Sequence, residues 1–148
     1  INGNNIWLYE ALNYSGIVTD YGNPTNLSGM DYLHFDYFTP DITPLGIKIV
    51  NTVLGQEDIV WVSTATEPGV RGTWVSVTIP LDDFAIDRSA VTQLVFDSAG
   101  GSAKVYVDNL YFYSENGAQP SVIAPEPTIY HSDVMSIFSD SYTSVGIS

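Results

Sequence analysis

No stretch of this chain sustains a 3.6-residue apolar period. Short runs with period-two alternation recur instead, each bounded by turn-forming residues. The runs are Ile6–Tyr9, Tyr14–Thr19, Tyr32–Phe38, Leu45–Val50, Asp58–Ser63, Trp74–Ile79, Leu94–Asp97 and Ala103–Tyr113. Between them stand Gly22-Asn23-Pro24-Thr25-Asn26, Thr39-Pro40-Asp41, Glu67-Pro68-Gly69 and Ala99-Gly100-Gly101, where proline presets φ and glycine admits positive φ. Pro80–Phe84 and Asp87–Ala90 have room for a helical turn at most. Strands this short need two faces to bury. The pattern therefore predicts an all-β protein, an antiparallel β-sandwich of eight strands.

The final run carries an irregularity. Val105 and Val107 share a face, with Tyr106 opposite; after Asp108-Asn109 the apolar alternation resumes at Leu110 and Phe112, one residue out of phase. A strand that changes phase and still returns to the core predicts a β-bulge at Asp108-Asn109. The acidic residue at the break is then either a turn-forming Asx residue or a ligand of a calcium ion.

Composition narrows the function. The formal charge is −13, and Lys48, Arg71, Arg88 and Lys104 are the only basic side chains besides histidine. Four cations cannot supply the phosphate contacts of a nucleic-acid site, and anionic membrane surfaces are disfavoured for the same reason. Aromatic residues (13%) nearly match charged ones (14%), which suits a rigid β protein handling neutral polar ligands and not a disordered acidic tail. Cysteine is absent, so there is no disulfide framework or thiolate metal site. No apolar run approaches the ~18 residues needed to span a bilayer, and no signal peptide is evident. The chain opens inside a turn at Ile1–Asn5, as expected of a processed or excised piece.

The expected organisation is a sandwich module at 1–113, a proline-containing linker at 114–132 and a separate strand segment at 133–148. A lone strand after such a linker must fold back, enter a neighbouring chain or open a following domain.

Three segments carry a family resemblance: Tyr32-Leu33-His34-Phe35-Asp36-Tyr37-Phe38-Thr39-Pro40-Asp41, Thr73-Trp74-Val75-Ser76-Val77-Thr78-Ile79-Pro80-Leu81-Asp82-Asp83-Phe84, and Val105–Tyr113. Together they resemble jelly-roll carbohydrate-binding modules with the galactose-binding-like fold. Such modules are appended, often in tandem, to secreted polysaccharide-degrading enzymes and surface proteins. The resemblance covers roughly Ile1–Tyr113 and implies secretion or display at the cell surface. In that family a segment like Val134–Tyr142 forms the first strand of a repeat. Here it stands at the end while the opening strand is missing, so a register slice of a repeat array and a permuted module are both open. In either case the tail strand suits the vacant slot, in this chain or in a neighbouring copy.

Period-two reading separates the faces. It sets Leu33, Phe35 and Tyr37 against His34 and Asp36, Ile47 and Ile49 against Lys48, and Leu94 and Phe96 against Gln93 and Asp97. It likewise sets Ile6 and Leu8 against Trp7 and Tyr9, and Val105 and Val107 against Tyr106. If the second sets share one sheet, Tyr9, His34, Asp36, Lys48, Gln93 and Tyr106 form a surface of rings, carboxylate, amide and ammonium suited to a polysaccharide or oligosaccharide. Trp7 and Trp61 are the stacking candidates, and Trp74 is expected in the core. The same residues are equally what a solvated outer sheet face displays.

For the calcium alternative, the resemblance adds Asp140 beside Asp108, as a structural ion joining the first and last strands. Catalysis finds no support. Only two histidines are present, His34 and His131, no nucleophile pattern accompanies them, and the neighbouring carboxylates Asp82 and Asp83 point to different sides of an extended chain. Two functions remain: a non-catalytic carbohydrate-binding module with a structural calcium, or a structural repeat of an extracellular adhesin, stalk or filament joined by linker and strand exchange.

Overall fold

Alternation of β-branched and aromatic residues with polar ones builds nine strands in a computed structural model that describes residues 5–41, 43–63, 71–115 and 134–138. They are β1 (Trp7–Leu12), β2 (Tyr14–Val18), β3 (Tyr32–Phe38), β4 (Leu45–Asn51), β5 (Gln56–Ser63), β6 (Trp74–Pro80), β7 (Gln93–Asp97), β8 (Ala103–Tyr113) and β9 (Val134–Phe138). Among the described residues a 3-10 turn, Leu81–Asp83, follows β6. All pairings between strands are antiparallel.

The first sheet runs β1-β8-β3-β6 and the second β2-β7-β4-β5. Consecutive strands change sheet at every step except β4–β5 and β8–β9, each of which pairs within one sheet. That is the jelly-roll path, and the expected all-β antiparallel sandwich is what forms. Pro80 ends β6, the edge strand, where a missing N–H costs least. β9 pairs with residues 110–113 of β8, on the edge whose 103–107 portion β1 occupies, so the two short strands lie end to end.

Between the sheets lies one core. Leu33, Phe35 and Tyr37 of β3 and Val105, Val107, Leu110 and Phe112 of β8 meet Ile47 and Ile49 of β4 and Leu94 and Phe96 of β7. Phe35 and Phe96 meet edge to face across the layers, with centroids 5.3 Å apart. Each fully buried side chain of this size contributes about 1.5–3 kcal/mol of apolar transfer energy, which makes this layer the main source of stability.

The bulge forms where the phase change predicts it. His34 stands opposite Tyr111 and Asp36 opposite Asp108, so Asn109 and Leu110 together face Phe35. Asn109 takes φ 50°, a left-handed conformation that asparagine tolerates. Its backbone N–H donates to Asp108 Oδ1 at 2.8 Å, and its side-chain amide donates to Asp36 Oδ2 at 2.7 Å. The extra residue turns Leu110 and Phe112 back into the core; without it they would face outward.

Substitutions at Asn109 separate its two contributions. Asn109→Gly keeps the backbone geometry but loses the amide bond to Asp36, an expected cost of about 1 kcal/mol. Asn109→Val loses both, and urea unfolding should register about 2–3 kcal/mol. Equal costs for the two variants would rule out backbone conformation as the reason for asparagine here.

Candidate functional site

Strand register fixes which outward side chains become neighbours. On the outer face of the second sheet, Tyr14, Asp97, Gly46 and Trp61 stand in one row across β2, β7, β4 and β5. The next row is Gly16, Val95, Lys48 and Ile59, followed by Val18, Gln93, Val50 and Glu57. Tyr14 and Trp61 close the ends of the first row and are 54% and 45% exposed. Three interstrand steps separate them, roughly 14 Å at ~4.8 Å each.

Two glycines shape this surface. A Cβ on Gly46 would stand 2.8 Å from Ile59 Cδ1 and 2.9 Å from Trp61 Cε3, so both side chains lie over the bare backbone. The Gln93 side chain crosses Gly16 in the same way, and a Cβ there would collide with its amide. Lys48 Nζ bonds Glu57 Oε1 at 2.8 Å and sits 5.3 Å from the Tyr14 ring centroid. The bond to Glu57 raises the Lys48 pKa above its usual value, so the ammonium stays charged. Asp97 Oδ1 accepts the backbone N–H of Ala99 at 2.7 Å. The surface thus offers two exposed rings with an ammonium, an amide and carboxylates between and beside them.

The outer face of the first sheet holds a different set. Leu8, Tyr106, Phe38 and Trp74 form one row across β1, β8, β3 and β6; Asp108, Asp36 and Ser76 form the next, and Tyr111, His34 and Thr78 the third. His34 Nδ1 lies 3.0 Å from Thr78 Oγ1, and its Nε2 lies 3.6 Å from Asp36 Oδ1. Asp36 accepts bonds from Ser76 and Asn109. Burial pushes the Asp36 pKa up, but hydrogen bonds with His34, Asn109 and Ser76 outweigh it and hold the carboxyl below its ordinary value.

The expected single surface is therefore divided between two sheets. Lys48, Trp61 and Gln93 come together on the second sheet, while His34, Asp36 and Tyr106 lie on the outer face of the first. Trp7 and Tyr9 belong to neither outer face. They pack against the core, their rings stacked at 5.9 Å, with Tyr9 6.1 Å from Phe96. The cause is register, because Leu8 pairs with Tyr106 and shares its outward direction, reversing the expected faces of β1. Trp74, expected in the core, is 48% exposed on the outside because Val75, Val77 and Ile79 take the inner positions of β6. Tyr14, Asp97 and Glu57 were missed as site members. Glycines inside strands, Gly16 two residues from Tyr14 and Gly46 two from Lys48, were the available signal.

Asp108 is buried at 7% exposure, and its Oδ1 accepts the backbone N–H of the next residue, Asn109, at the bulge. Asp140 lies outside the described residues. Among the described residues no three of His, Cys, Asp and Glu converge on a point that could hold a metal ion. No described helix is long and apolar enough to cross a membrane.

The jelly-roll sandwich is one this chain shares with solved carbohydrate-binding modules. In particular, it is similar to the family 30 carbohydrate-binding module of the cellulosomal cellulase Cel9D-Cel44B of Clostridium thermocellum, with 26% identity and a TM-score of 0.53 over 70% of this chain and 68% of that one. A second structure of a family 30 carbohydrate-binding module matches at 26% identity and a TM-score of 0.55, over 76% of this chain and 65% of that one. The match thus spans about two thirds of each solved module. No protein-family model matches the chain, and no curated protein does.

Two outcomes follow from the geometry. Gly46→Ala must displace Ile59 and Trp61, with an expected cost of about 1–3 kcal/mol and a shift in tryptophan emission; unchanged stability and emission would show that the close approach is unimportant. Because the folded Asp36 carboxyl sits below its unfolded value, near 3.8, its contribution to stability is complete above that value. It is lost as the pH falls through the lower folded one. Denaturant midpoints measured from about pH 6 to pH 2 should fall less steeply for Asp36→Asn than for the wild type.

Proposed function

We propose that this chain is a non-catalytic carbohydrate-binding module whose glycan surface is the outer face of the second sheet. The observation that carries the reading is the row Tyr14–Asp97–Gly46–Trp61, a pair of exposed rings with Asp97 between them and the Trp61 ring laid over the Gly46 backbone. Pyranose rings have apolar C–H faces that stack on aromatic rings, and hydroxyl rims that bond amide, ammonium and carboxylate groups. A row perpendicular to the strands suits an extended chain lying across the sheet. The ligand class is a neutral polysaccharide, and the family 30 likeness to a cellulase module makes a cellulose-type β-glucan the first probe. Trp61 and Tyr14 stack the sugar, while Lys48, Gln93 and Asp97 bond its hydroxyls. Export as part of a larger extracellular protein fits the same likeness.

Affinity electrophoresis in hydroxyethylcellulose tests it. The wild type should be retarded, and Trp61→Ala should reduce the association constant at least about tenfold, the equivalent of ~1.4 kcal/mol, with its melting temperature little changed because the ring is 45% exposed. Absence of retardation across β-glucans, mannans and xylans would remove the reading.

Structural calcium at Asp108 is a separate proposal, requiring ligands from beyond the described residues, Asp140 among them. Calcium should raise the melting temperature of the full chain in a concentration-dependent way, and Asp108→Asn should abolish the rise. No rise up to millimolar calcium would remove the ion from the account. The alternative of a stalk or filament built by strand exchange requires β9 to leave the β8 edge of its own chain.

A further inference from the structure

The outer face of the first sheet carries a second ring row that the proposed site does not use. Leu8, Tyr106, Phe38 and Trp74 stand opposite one another across all four strands of the β1-β8-β3-β6 path. Phe38 meets Tyr106 edge to face at 5.7 Å and Trp74 at 5.9 Å, so the three rings brace one another. The row is open at both ends, with Leu8 39% and Trp74 48% exposed. Beside it stand the exposed hydroxyls of Ser76 and Thr78, held by the buried Asp36 carboxylate and by His34.

The shape of this feature limits its occupant. Four side chains span roughly 14 Å along the row and about 7 Å across it, an apolar strip of about 100 Å². A stable protein partner requires about 800 Å² on each side with an apolar centre, and here the polar row begins immediately. Two described cations lie near the row, Lys104, paired with Glu10 at 2.7 Å, and Arg71, whose backbone bridges Thr39; against a formal charge of −13 they disfavour an anionic ligand. A narrow strip of rings flanked by hydroxyls matches a neutral, ribbon-shaped sugar chain.

We propose that this face is a second glycan-contacting surface, opposite the first, so that one domain holds polysaccharide chains on both sides. The proposal rests on the reading of the chain as a polysaccharide binder and adds a second, independent face. Trp74 is its stacking ring, with Tyr106 and Phe38 extending the platform and Ser76 and Thr78 bonding hydroxyls.

The three tryptophans permit a direct test, because Trp61 lies on one face, Trp74 on the other and Trp7 against the core. Indole N–H resonances of the full chain, assigned with single Trp→Phe variants, are followed during titration with cellohexaose and, separately, mannohexaose. Movement of both Trp61 and Trp74 is expected, with Trp74 still responding in Trp61→Ala and Trp61 still responding in Trp74→Ala. Movement of Trp61 with a silent Trp74 would overturn the second face and leave the proposed function standing. A Trp74 response that vanishes in Trp61→Ala would also overturn it, since the faces would not be independent. A Trp74 resonance that moves on dilution without sugar would assign the strip to self-association and overturn it. Silence of both indoles with both sugars would remove the proposed function and this surface together.

Discussion

The bulge at Asp108–Asn109 is the constraint on which the rest of the sandwich depends. β8 is the longest strand and lies between β3 on one side and both β1 and β9 on the other. With no extra residue, either Val105 and Val107 or Leu110 and Phe112 would face solvent, because side chains alternate strictly along a strand. The left-handed Asn109 lets both pairs reach the core. Its amide then fastens the bulge to Asp36 on the neighbouring strand, which accepts a further bond from Ser76 of β6. One residue therefore sets the core contribution of β8 and the order of the rows on the outer face of the first sheet.

The two outer faces share a construction but differ in how open they are. On the second sheet, Gly16 and Gly46 remove side chains from the middle, so Gln93, Ile59 and Trp61 lie over backbone and the terminal rings are exposed. On the first, the middle is filled by Asp36, Asp108 and His34 with their hydrogen-bonding partners. Side chains laid flat over backbone leave a low floor between the exposed end rings, whereas the hydrogen-bonded cluster on the first sheet fills the middle and offers only a strip on top. This difference is the physical reason for ranking the second sheet first as a glycan surface.

Much of this was legible in the sequence. Period-two alternation with proline and glycine punctuation located eight strands to within a few residues, since strand propensity and turn chemistry are local properties. The phase slip at Asp108-Asn109 announced the bulge for the same reason. Local pattern also identified the outward set on β3, β4 and β7: His34 and Asp36, Lys48, and Gln93. It failed at β1, where apolar or aromatic residues stand at both parities and alternation alone cannot choose the inner face; Trp7 and Tyr9 went inward because cross-strand register decided the matter. At β6 the family motif misled: the alternation of Val75, Val77 and Ile79 with Ser76 and Thr78 already points Trp74 outward, as the structure has it.

The sequence by itself determined the strand content, the bulge, the scarcity of cations and the supply of rings and hydrogen-bonding groups, all of which follow from residue type and spacing. Only the tertiary structure decided which segments share a sheet. That assignment moved Lys48, Gln93 and Trp61 away from His34, Asp36 and Tyr106, and brought Tyr14 and Asp97 into line with Trp61. Sheet membership and register are set by packing the two inner faces into one core, a requirement on the whole chain that no single segment encodes.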